Sequence, residues 1–352
     1  MSNIPTWQRR IALSVFKKEA TYNAGVTINS ANYAELSGFD SKPKELTDML
    51  ADDGGEITGS EYPTLQEIIR QGLGLSINFS KAKPNDVIGL AALGLGNVVS
   101  SQDGAFVAYR HKITPIAAGS SLPSGAVLVK DGAQWLHNGI TVVKFKLSGK
   151  DDGFIACGAD LIGSGHRVTD TTGFPAKISE SWMKTTQMKV FYESGANISI
   201  SATPVQAAED ISSGAGTDLS IRIRNFDFEW DNKNFMNYGY GSDVLQENDK
   251  GAKRMPSLKF SLIYKDDTEL NHYLNQTAVA VEFDAKGALI AAGGAMYFGL
   301  DLIIPKCQIT KLGMGEVDGF LSQDYEVTIL DNGVNEIVQL YGYNAKAAYI
   351  QP

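Results

Sequence analysis

Apolar and polar residues alternate with a period of two along much of this chain. Leu258, Phe260, Leu262 and Tyr264 alternate with Lys259, Ser261 and Ile263. Val279, Val281 and Phe283 alternate with Ala280 and Glu282, Tyr325, Val327 and Ile329 with Glu326 and Thr328, and Val143, Phe145 and Leu147 with Lys144 and Lys146. Each run predicts a half-buried strand with one face on a core. Between Leu219 and Trp230 the apolar phase slips from Leu219, Ile221 and Ile223 to Phe226, Phe228 and Trp230. A slip of one residue would turn a strand over, so a β-bulge near Asn225 is expected.

Helical periodicity is scarce. One short helix is predicted after Asp266-Asp267-Thr268, with Leu270, Tyr273 and Leu274 on its inner face. A second opens at Pro84-Asn85-Asp86 with Val87, Leu90 and Ala91 on one side, and a third runs from Pro63 through Leu65, Ile68 and Ile69. The pattern places the chain in a mainly β class.

An internal repeat organises these elements. The strand at Leu75, Ile77 and Phe79, its following helix and the strand-like Asn97-Val98-Val99 match the strand at Leu258, Phe260 and Leu262 with its helix and the strand from Val279 to Phe283. Leu75 and Leu258 stand 183 positions apart. Asp152-Gly153-Phe154-Ile155 and Asp318-Gly319-Phe320-Leu321 form a second pair of landmarks, 166 positions apart. The difference of 17 residues implies an insertion in the first copy, within about 116–139, where Ala126 to Val129 and Ala133 to Leu136 flank Lys130-Asp131-Gly132 as an extra hairpin. The expected architecture is two repeated β-sandwich or barrel modules, residues 1–173 and 174–352, each with a short flanking α-helix. The small, turn-rich stretch from Gly163 to Pro175 forms the junction.

Composition narrows the functional classes. With 352 residues, 43% of them hydrophobic, the chain holds enough apolar matter for packed cores and is too rich in it for disorder. Its formal net charge of −9, with basic residues scattered singly or in pairs, disfavours a surface that grips nucleic acid. No apolar run is long enough to span a bilayer and no signal-peptide pattern follows Arg9-Arg10, so cytoplasmic synthesis without a membrane partner is expected. Cys157 and Cys307 both lie among apolar strand residues and read as buried thiols.

Catalytic arrangements are missing from the pattern. His111, His137, His166 and His272 lack metal-ligand spacing and read as surface or partly satisfied histidines, with His111 between two cations in a solvated loop. The glycine pairs Gly72-Leu-Gly74, Gly94-Leu-Gly96 and Gly163-Ser-Gly165 lack the third glycine of a dinucleotide loop. Asp151-Asp152 reads as a turn and Asp266-Asp267 as a helix cap. No cofactor and no metal are expected, and the chain reads as a non-enzyme.

Two segments carry a resemblance to a known family. Lys253-Arg254-Met255-Pro256-Ser257 with the alternating strand from Leu258 to Tyr264 and the helix through Leu274, and Gly59 to Leu65 upstream of Leu75 to Phe79, resemble the tail tube proteins of long, non-contractile bacteriophage tails. The first copy departs from the family pattern in the ten residues between Leu65 and Leu75. The resemblance implies β modules joined side by side into rings that stack into a tube, with duplicated-module members closing a pseudo-sixfold ring from three chains. It implies a virion protein assembled in the host cytoplasm, with partners in further copies of itself, a tape measure protein, a tail terminator and distal tail or baseplate proteins. DNA would cross the lumen unbound, past an acidic wall. A tail terminator, baseplate or other minor tail protein with the same module is the alternative, and a cell-surface glycan-binding β-sandwich a more distant one.

Two long loops, Asp40 to Tyr62 and Asp231 to Met255, precede the repeated unit at corresponding places. Met49, Glu56, Tyr62, Phe235, Tyr238, Tyr240 and Glu247 are their candidate contacts to the next ring, and excision of 45–55 or 243–251 is expected to leave a folded chain.

Overall fold

The computed structural model describes residues 9–36, 45–46, 48–52, 66–195, 200–201, 204–206, 208–211, 216–251 and 253–352. Within them the chain forms β1 (Arg10–Leu13), β2 (Ala34–Leu36), β3 (Glu45–Leu46), β4 (Met49–Asp52), β5 (Gln66–Arg70), β6 (Leu73–Phe79), α1 (Pro84–Leu95), β7 (Gly96–Gln102), β8 (Tyr109–Pro115), β9 (Gly125–Asp131), β10 (Ala133–Lys150), β11 (Ala156–Gly163) and β12 (Arg167–Thr169). It continues with β13 (Met188–Ser194), β14 (Thr217–Asp218), β15 (Ile223–Asp231), β16 (Phe235–Asn237), β17 (Glu247–Asp249), β18 (Met255–Ile263), α2 (Thr268–Leu274), β19 (Ala278–Leu289), β20 (Tyr297–Val317), β21 (Phe320–Ile329) and β22 (Gln339–Asn344). The mainly β expectation holds.

Antiparallel pairing sorts most of these strands into three sheets. A long sheet runs β3-β6-β11-β10-β15-β18-β21-β20, and a second runs β14-β13-β19-β20-β22-β8-β7. The 21-residue β20 belongs to both, its N-terminal part beside β22 and its C-terminal part beside β21. A small sheet, β2-β1-β9-β10-β12, is built on the N-terminal part of β10 and contains the hairpin expected between Ala126 and Leu136. Gly132 turns that hairpin at φ 88°, a left-handed conformation that favours glycine.

Helix α1 lies between the two large sheets, in contact with β10 of one and with β8 and β22 of the other. All twelve of its residues are buried, so the expected one-sided face is a full cylinder of contact. Its composition permits this, because PNDVIGLAALGL carries only one charge. Pro84 occupies the first turn, where its missing N–H costs nothing, and Gly96 closes the helix at φ 95° by donating its N–H to Ala92 O. Small residues allow close approach. A Cβ on Gly94 would meet Val142 at 3.2 Å, and one on Gly342 of β22 would lie 2.2 Å from Ile88 Cγ1.

One apolar core spans both halves of the chain, from Ile77, Phe79 and Phe145 to Val281, Phe283 and Leu302. Phe226 of β15 stacks on Phe283 of β19 with centroids 4.6 Å apart, joining the long sheet to the second. Each large apolar side chain so buried contributes ~1.5–3 kcal/mol. Cys157 and Cys307 are free thiols within the core, as read from their neighbours.

Several local expectations are corrected. In β10 the inward residues are Val142, Phe145 and Leu147, because a register shift between Val142 and Lys144 turns Val143 partly outward. A register shift does fall between Ile223 and Asn225, but Leu219 to Arg222 form a turn, which leaves Ile221 88% exposed. Gln66–Arg70, expected as helix, is a strand paired with β4, and Pro63 to Leu65 lie outside the described residues. In α2 the buried residue is Glu269, held by Arg222 at 2.7 Å, whereas Leu274 is 64% exposed. Asp267 makes no side-chain cap. Asp266 Oδ1 instead accepts the Thr268 N–H at 3.0 Å. Strand β19 is buried on both faces, Glu282 included, because Ile200 and Ile211 cover its outer side. His111 is buried in β8, bonded through Nδ1 to Ser100 Oγ at 2.8 Å and through Nε2 to Asn344 Oδ1 at 3.1 Å. Burial pushes its pKa down to about 4.

Candidate assembly surface

At each long loop the described residues form a two-stranded arm that is not hydrogen-bonded into the large sheets. In the first, β4 pairs with β5 and sets Leu50 opposite Ile68 and Met49 opposite Arg70. Every residue of both strands is exposed. In the second, β16 pairs with β17, setting Phe235 opposite Asp249 and Asn237 opposite Glu247. An isolated two-stranded hairpin is marginally stable in water. Here the arms carry Met49, Leu50, Ile68 and Ile69 at about half exposure, Phe235 at 58% and Tyr240 fully in solvent.

Both arms are anchored to the body of the protein. Asp48 accepts from Arg167 Nη2 at 3.0 Å and from the Gly72 N–H at 3.1 Å. Leu245 is fully buried and donates its N–H to Ser164 O at 2.8 Å, and the buried Asn248 donates to Thr141 Oγ1 and accepts from Asn234 at 2.9 Å. Asn232 ties the strand entering the second arm to α1 and β10, donating to Gly94 O at 2.7 Å and to Val142 O at 2.9 Å. Residues 243–251 are therefore not a purely superficial loop, contrary to expectation.

The arms also touch each other. Gln71 donates its N–H to Asp243 O and its side-chain amide to Asp243 Oδ2, both at 2.6 Å, and the Arg70 guanidinium lies 4.6 Å from the Tyr238 ring centroid. Of the seven residues expected to make contacts, Met49, Phe235, Tyr240 and Glu247 are exposed on the arms and Tyr238 is half-buried beneath Arg70. Glu56 and Tyr62 lie outside the described residues. Sequence reasoning missed Arg70, Gln71 and Asp243, the residues that join the arms, because their partners are some 170 positions away. It also missed Leu50, Ile68 and Met236, although adjacent apolar residues in an otherwise polar stretch were a usable signal.

Two further features face outward. Strand β7 pairs with β8 alone among the described strands, leaving one edge open with Val99 exposed at 59%. The β20–β21 hairpin ends in Asp318 and Gly319, both at positive φ, with Met314, Phe320 and Leu321 exposed around it. Unpaired strand edges and exposed apolar patches are surfaces that other chains can pair with. Among the described residues no helix is long and apolar enough to cross a membrane.

Its large antiparallel sheets place the chain among mainly β proteins. Residues 11–327 match the phage tail tube protein family, nearly the whole chain, and the chain belongs to that family. It is a structural protein of the phage tail and hence a virion component. A search of curated proteins finds no match.

Proposed function

We propose that this chain is the repeating unit of the tail tube, assembling with its own copies into stacked rings through which DNA leaves for the host. The observation that carries this reading is the pair of exposed, apolar, mutually braced arms, whose stability is completed by burial against another ring. Lateral joining falls to open edges such as that of β7. The role is structural, without a catalytic step, and the net charge of −9 suits a conduit that must not hold phosphate.

We further propose that the chain is a duplicated module and that three chains close a pseudo-sixfold ring. Register supports the duplication. In the first half Leu75 pairs with Leu161 and Ile77 with Ala159, and in the second Leu258 pairs with Val327 and Phe260 with Tyr325. The offsets read from sequence, 183 for one strand and 166 for the other, carry the first ladder onto the second residue for residue. Each half also places an arm just before this ladder, and residues 116–139 interrupt the first half where β20 runs unbroken in the second. Tape measure, terminator and distal tail or baseplate proteins are the further partners, met after assembly in the host cytoplasm.

Electron microscopy of the purified protein tests the reading. Tubes of stacked rings with three chains per ring are expected. Isolated closed rings that never stack would favour a terminator or other minor tail protein, and six chains per ring would overturn the pseudo-sixfold arrangement.

A further inference from the structure

On the face of the second sheet that Ile200 and Ile211 cover, three acidic side chains converge. Glu282 comes from β19, Asp301 from β20 and Asp210 from the segment covering both. One carboxylate oxygen of each lies within 4.8 Å of the others, and all three residues are at most 3% exposed. Asp284 stands directly opposite Asp301 in the ladder and adds a fourth buried carboxylate.

Hydrogen bonds satisfy only part of this cluster. Glu282 Oε2 accepts the Asp210 N–H at 2.9 Å, and Asp210 Oδ2 accepts the Val205 N–H at 2.8 Å. Glu282 Oε1 and both carboxylate oxygens of Asp301 are buried without a hydrogen-bond partner. A second, non-acidic group is orphaned beside them. The Tyr343 hydroxyl of β22 is buried without a partner, and Asp301 and Asp284 are the charges that act on it most strongly. Tyr341, two residues away on the same strand, sits directly opposite Asp301 and turns its hydroxyl to Gln339 instead.

Among the described residues, the strongest charges around the cluster are acidic. Arg110 acts on Asp210, Tyr341 and Tyr343, but the charges acting on Glu282 and Asp301 are all acidic, drawn from Asp210, Asp284, Glu209 and each other. Burying unpaired carboxylates is strongly unfavourable. Either protons or a cation must offset this.

We propose that Asp210, Glu282 and Asp301 bind a divalent cation of the calcium type, with the Tyr343 hydroxyl beside it. All donors are hard oxygens, which suits calcium or magnesium over zinc or copper. Ligands on opposite sides of a calcium ion at 2.3–2.6 Å stand roughly 4.6–5.2 Å apart, so oxygens within 4.8 Å of one another can share one ion. Magnesium keeps several waters, which a site with every carboxylate buried accommodates poorly. Because Asp210 belongs to the covering segment and the other two ligands to the sheet, the ion staples that segment to the sandwich.

The test uses the full chain stripped with EDTA and dialysed into metal-free buffer at pH 7.5. Added calcium chloride is expected to raise the melting temperature by about 5 °C at a hundredfold excess over Kd, with a smaller rise for magnesium chloride. Calcium is expected to bind near one per chain by isothermal calorimetry. Asp301→Asn is expected to abolish both responses, and Glu282→Gln serves in its place should Asp301→Asn not fold. A wild-type melting temperature that ignores both calcium and EDTA would show that protons neutralise the cluster and would overturn the proposal, as would a full calcium response in a folded Asp301→Asn.

Discussion

Arg70 at the end of β5 stands over the ring of Tyr238, 4.6 Å from its centroid, and so braces one projecting arm against the other. Cation–π contacts at exposed sites contribute ~0.5–1 kcal/mol, too little to hold a fold and enough to orient two hairpins. Arg70→Ala is expected to lower the melting temperature by no more than about 2 °C while raising the protein concentration needed for tube formation. Thermal melts and sedimentation of assembled tubes measure the two effects separately, and an equal loss in both would assign Arg70 to the fold.

The exposed aromatic residues of the second arm offer a cleaner separation. Phe235→Ser combined with Tyr240→Ser alters two exposed side chains and is expected to leave secondary structure and stability within about 0.5 kcal/mol of wild type. Stacking should fail, as seen by negative-stain microscopy. Excision of 243–251 should behave differently, unfolding the chain, because it removes the buried Leu245 and Asn248.

Packing of α1 against β22 leaves no room for a side chain at Gly342. Gly342→Ala is expected to destabilise the protein by about 1–3 kcal/mol, read as a shift of the urea midpoint. Adding Ile88→Ala should recover part of that loss, since Ile88 supplies the two atoms nearest the new methyl group.

Asp86 on α1 and Glu180 form a second buried acidic pair, where burial, with Glu180 adding to it at Asp86, pushes both up to about 7. Between the ordinary carboxylate range near 4 and pH 7, the folded chain holds protons that the unfolded chain has lost. Their contribution to stability is therefore complete below about pH 4 and is lost as pH rises through 7. Asp86→Asn is expected to equal wild type near pH 3 and to exceed it at pH 8 by on the order of 1–3 kcal/mol. Denaturant titrations of both proteins at the two pH values decide this. The difference between variants cancels the opposite trend from His111, whose depressed pKa costs stability as pH falls below the ordinary imidazole range.

The strands were legible where one face meets the core and the other meets water, as at Leu258, Phe260 and Leu262. Glu282 misled for a physical reason. Alternation marks which residues share a face but not whether remote residues cover the other face, and Ile200 and Ile211 do so here. Gln66–Arg70 misled because two adjacent isoleucines fit a helical face as well as an exposed ribbon. The arms were located by length alone and their apolar tips by composition. Their junction at Arg70, Gln71, Tyr238 and Asp243 was invisible, since no local pattern specifies a partner so far along the chain.

Strand β10 lies between β11 and β15, with a partner on both sides from Lys144 to Ser148. A ribosome thus completes one side of that ladder well before its other side has been made. At 5–20 residues per second, the roughly 80 residues from Lys150 to Asp231 take about 4–16 s to synthesise. Throughout that interval the nascent chain carries a naked strand edge beside an apolar core that lacks Phe226, Phe228 and Trp230. That edge stays open to pairing with other chains until β15 has been made.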